Sequence, residues 1–74
     1  MSTKKQLCNI VIHIKDSESL TYDKLQEKTG VLRSQLVQIL VHEGKDVSLA
    51  VIEHVIKMLG YSTEVHLVQK MNTD

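Results

Sequence analysis

The chain has 74 residues, nine of them basic and nine acidic, and one cysteine, Cys8. A chain of this length buries only about 60% of its unfolded surface. A core that small rarely supplies more than roughly 3–5 kcal/mol, so some further staple is expected. The lone cysteine excludes an internal disulfide, and a net charge of zero withdraws the general basic surplus that commonly marks a nucleic-acid binder.

Tyr22 and Tyr61 are the only aromatics, there is no proline, and there are three glycines. That composition favours helices over a turn-rich β fold, with a core of Leu, Ile and Val. No apolar run approaches the ~18 residues of a membrane span. Behind Lys4 and Lys5 the apolar stretch is short, His13 interrupts it, and no small-residue cleavage site follows. It reads as a helix rather than a signal peptide, and the chain as cytoplasmic.

The first helix is expected over about 4–16. Leu7, Ile10, Val11 and Ile14 repeat at i, i+3, i+4 and i+7, and Cys8 and Ile12 widen that face. The weak alternation of the same stretch leaves a strand as the alternative. After a polar connection, DSES, a second helix is expected over 21–29. Thr21 is its N-cap and Asp23 sits in its first turn, where a negative charge suits the helix dipole. Gly30 is placed to stop it sharply.

A third helix is expected over 33–42, with Leu36, Ile39 and Leu40 inward and Val31 at the turn. EGKDV is a loop. Ser48 then caps a fourth helix, 48–59, whose apolar face is Leu49, Ile52, Ile56 and Leu59 with Val55 and Met58 alongside; Gly60 is placed to end it. From Gly60 the period changes to two. A short strand is expected over about 62–68, followed by a polar tail, 69–74.

A lone strand leaves its backbone polar groups without partners. Pairing with the same strand of a second copy about a two-fold axis satisfies them and supplies the missing staple. Thr63, Val65, His66 and Leu67 are the residues expected at that homodimer interface.

Two helices joined by a tight glycine turn match the helix-turn-helix arrangement. Leu25, Gly30, Val31, Leu36 and Ile39 stand where that pattern wants apolar, Gly, apolar, apolar and apolar. The stretch TYDKLQEKTGVLRSQLVQIL, a GK loop, VSLAVIEHVIKMLGY and TEVHLV then resemble the Xre/Cro family of helix-turn-helix regulators, most of all its antitoxin-like and phage-type members. The resemblance covers roughly Leu20 to Val68. It implies an all-α, four- to five-helix, lambda-repressor-like domain spanning 1–74, with a C-terminal strand pairing across a homodimer.

It also implies sequence-specific binding of double-stranded DNA, at a palindromic operator, by a transcriptional repressor or antitoxin. The helix from Arg33 is then the recognition helix. Carried over position by position, Tyr22, Arg33, Ser34, Gln35 and Gln38 face DNA, and Lys45 reaches phosphate. The chemistry suits the task. Arg33 can pair with guanine, Gln35 or Gln38 with adenine, and Ser34 with phosphate or a base edge. Three residues depart from the family pattern. Gln26 stands where the helices approach most closely and Ala is usual. Leu32 replaces the usual Ser or Thr N-cap of the recognition helix. Val37 stands where a polar residue is common. With few cations nearby, these departures support an alternative: the same scaffold binding a protein, either a toxin or a host factor.

His13, His42, His54 and His66 are spaced 29, 12 and 12 apart, which matches no compact ligand motif, so no metal or other cofactor is expected. Cys8 reads as a small buried hydrophobe. No phosphate loop, nucleophile elbow or metal motif is present, so an enzyme is not expected.

Overall fold

The first apolar stripe folds as helix α1, Thr3–Ser17. It is followed by α2, Tyr22–Thr29, α3, Arg33–Val41, and α4, Leu49–Met58. The computed structural model describes residues 3–61, and among these the fold is all-α with no strand. The strand expected over 62–68 and its interface residues Thr63, Val65, His66 and Leu67 lie outside the described residues, as does the tail.

Each boundary has a local cause. α1 runs into the DSES segment as far as Ser17. Ser19 then takes a left-handed φ of 54°, and Leu20 N–H bonds back to the Lys15 carbonyl at 2.9 Å. Thr21 caps α2 through its hydroxyl, which accepts from Lys24 N–H at 3.1 Å. Gly30, at φ 73°, closes α2 with its N–H on the Gln26 carbonyl. Ser48 caps α4, accepting from Val51 N–H. After α4, Gly60 and Tyr61 donate to the Lys57 and Ile56 carbonyls, so two of the helix's last acceptors are satisfied.

α1 packs against α4 and α3, and α2 against α3 and α4. The core between them is aliphatic. Val11, Leu25, Leu36, Ile39, Ile52 and Val55 are fully buried, with Leu7, Cys8, Ile14, Val31, Val47, Ile56 and Leu59 around them. Three residues expected on inward faces are instead only partly covered: Ile10 is 43% exposed, Leu49 38% and Met58 49%. Their helical spacing is correct, but they lie at the margins of stripes wider than the neighbouring helices cover. Each helix of a four-helix unit this small has neighbours on only part of its circumference.

The connection between α3 and α4 packs closely on α1 and α4 at Gly44. Glu43, Gly44 and Asp46 all adopt left-handed backbone, at φ 56°, 82° and 61°. Gly44 N–H bonds to the Gln38 carbonyl at 2.7 Å. A Cβ on Gly44 would lie 3.0 Å from Cys8 Sγ and from Lys4 Cδ, and 3.1 Å from Ile52 Cδ1. Both the φ and the close approach therefore require glycine here. Lys5 and Glu43 bridge the same corner at 3.4 Å, an exposed pair of small energetic weight.

Candidate nucleic-acid interface

The turn between α2 and α3 is built from side chains as well as from Gly30. Thr29 is buried. Its hydroxyl donates to the Leu25 carbonyl at 2.6 Å and accepts from Val31 N–H at 3.2 Å. From α4, His54 Nε2 lies 2.9 Å from the Thr29 carbonyl. A carbonyl oxygen only accepts, so this nitrogen carries the proton. These contacts hold the backbone that leads into α3. From the sequence, Thr29 is only the end of the second helix and His54 only one of four histidines without ligand spacing. A threonine directly before a turn glycine was the available signal for the first, and none existed for the second.

α3 begins at Leu32, whose side chain makes no capping bond and is 64% exposed. Arg33 follows. Its guanidinium lies 5.0 Å from the centroid of the Tyr22 ring and 3.4 Å from Asp23 Oδ1. Lys15 Nζ lies 5.8 Å from the same ring. Tyr22 is half-buried and packs on the core, so it acts as a shelf that orients two cations rather than as a freely projecting phenol. The pair with Asp23 is largely exposed and contributes little stability, yet it offsets the charge at the start of α3.

Of the remaining expected residues, Ser34 and Lys45 are exposed, and Gln35 and Gln38 are half-buried. Gln38 lines a shallow depression with His42, Lys45 and Asp46. Its Oε1 is buried with no hydrogen-bond partner, so turning this amide outward sacrifices no bond made by that oxygen. Arg33 and Tyr22 are in contact, while Lys45 stands at the opposite end of α3, beyond its last turn. Gln26 is exposed, so its long side chain points outward.

Elsewhere, burial pushes the Cys8 thiol above its ordinary pKa, with Lys4 opposing and Glu43 adding to the shift. The Tyr61 hydroxyl is also raised, first by the hydrogen bond it donates to Glu18 Oε2 at 2.9 Å and then by that carboxylate's charge. Among the described residues no group of three or more His, Cys, Asp or Glu is placed to hold a metal ion. No helix among them is long and apolar enough to cross a membrane. No family model, curated protein or solved structure matches the chain.

Proposed function

We propose that the chain is a helix-turn-helix regulator of the Xre/Cro type, a repressor or antitoxin that binds a palindromic DNA operator as a homodimer. One observation carries the reading. α2 and α3 bury Leu25, Val31, Leu36 and Ile39 across a left-handed Gly30 turn, which leaves Arg33 and Ser34 outward at the start of α3. A helix held rigidly by its back face and presenting polar residues at its N-terminal end suits entry into the major groove. Strand pairing through Thr63, Val65, His66 and Leu67 makes the dimer. Its two α3 helices then read half-sites about 34–36 Å apart, and occupancy alone blocks polymerase.

The test is fluorescence anisotropy on genomic duplex fragments across a salt series, with sedimentation to read the oligomeric state. Affinity should fall steeply with salt, and Arg33→Ala should cost roughly 1–3 kcal/mol at a selected site. Absence of bound DNA at low salt sinks the reading. A second reading is favoured by the 64% and 59% exposure of Leu32 and Val41 at the two ends of α3. In that reading α3 docks a toxin or host protein, and binding is insensitive to salt.

A further inference from the structure

The outward side of α3 is a mixed surface. Fully buried Leu36 and Ile39 fix which side of the helix faces inward. Residues four apart share a face, so Arg33, Val37 and Val41 form one outer row and Ser34 and Gln38 the row beside it. Val41 is 59% exposed. Val37 is half-buried, but it lies outside the set of half-buried apolar side chains that pack on the core, which is Leu20, Tyr22, Leu40 and Val51. α3 contains no Asp or Glu, and Arg33 is its single charged residue. The helix itself therefore offers one cation, a hydroxyl, an amide and two valines; the carboxylates beside it come from other elements, Asp23 at 3.4 Å from Arg33 and Asp46 next to Gln38.

The major groove presents a matching set: acceptor edges on guanine, a donor and an acceptor on adenine, phosphate walls, and one apolar group, the C5-methyl of thymine. Resting on the DNA-binding reading above, we propose that Val37 and Val41 are specificity residues that select thymine by packing on its methyl group. Gln38 reads an adjacent adenine, whose N6 amino group supplies the donor that Oε1 lacks within the protein. Four residues of helix advance about 6 Å, and base steps are about 3.4 Å. The two thymines therefore lie about two steps apart, in an A·T-rich segment next to the guanine that Arg33 contacts.

The experiment selects bound duplexes from a random-sequence library with the full chain. The enriched duplex is then resynthesised with 2′-deoxyuridine in place of each thymine in turn. Uracil keeps the hydrogen-bonding edge and loses only the methyl. Wild-type binding should weaken about fourfold at one or two thymines in each half-site, the worth of one buried methyl-sized group. Val37→Ala and Val41→Ala should each bind the thymine and uracil duplexes equally at one of those positions. Val41 is exposed, so its variant keeps the fold, and the wild-type uracil scan needs no variant at all. Enriched duplexes that bind alike with thymine and uracil overturn the proposal while the DNA reading stands. So does a thymine dependence that survives in both variants. A library that yields no enriched duplex overturns the DNA reading and this proposal together.

Discussion

Helices α2 and α3 are adjacent and nearly equal in length, eight and nine residues, yet different forces hold them. α2 is supported by its own ends: the Thr21 hydroxyl on Lys24 N–H, Asp23 in the first turn, Lys28 in the last, and Gly30 closing it. It buries only Leu25 and Thr29. α3 has neither a side-chain cap at its start, nor an acid in its first turn, nor a base in its last. It is held by the burial of Leu36 and Ile39 and by the Gly44 corner packed on Cys8. Both helices are shorter than the ~12–15 residues at which an isolated helix becomes even marginally stable, so α2 needs the core somewhat and α3 needs it almost entirely. The outer positions of α3 are thereby free of capping and dipole-matching duties, and their identities are available for contacts beyond the chain.

The contrast can be broken from either side. The largest effect is expected at Leu36→Ala, which removes the fully buried anchor of α3 and should cost about 2–5 kcal/mol in urea unfolding. A loss below about 1 kcal/mol would mean that α3 has local support not identified above. Next is Gly44→Ala, which combines a left-handed backbone with a Cβ forced against Cys8, Lys4 and Ile52. It should cost about 1–3 kcal/mol, and repacking around Cys8 should be visible as faster thiol alkylation. Thr21→Ala should cost about 1 kcal/mol, read as a lowered thermal midpoint, because α2 loses its cap but keeps its other supports. The smallest effect sharpens the comparison by reversing it. Leu32→Ser supplies the cap that α3 lacks and should stabilise the fold by about 0.5–1 kcal/mol; an unchanged midpoint would show that the first amides of α3 are already satisfied.

The candidate interface was legible only in part. Arg33 and Ser34 could be placed on an outer surface because Leu36 and Ile39, three residues apart on the same helix, mark its inward side. Tyr22 could be placed at the start of α2, but not beneath two cations, since Lys15 and Arg33 come from different helices and meet it only after packing. The pairing of Arg33 with Asp23 joins residues ten apart and has no sequence signature. Gln38 was expected to face DNA and reach an adenine edge. Its half-burial beside His42, Lys45 and Asp46 follows from the left-handed corner that folds the loop back along α3.

The amino-acid sequence by itself determined the all-α class, the order of four helices and their caps at Thr21 and Ser48. It also determined the aliphatic residues at the centre of each stripe. These depend on interactions spanning four residues or fewer: a hydroxyl reaching the third amide, a glycine entering left-handed backbone, an apolar side chain returning every turn. Tertiary structure alone decided which edges of those stripes were covered. Ile10, Leu49 and Met58, at the margins of their stripes, are only partly covered among the described residues. It also decided that His54, 25 residues away, ties the turn through the Thr29 carbonyl. Periodicity states which way a side chain points, but burial and long-range hydrogen bonds require a second element at a given distance, and only the packed chain provides it.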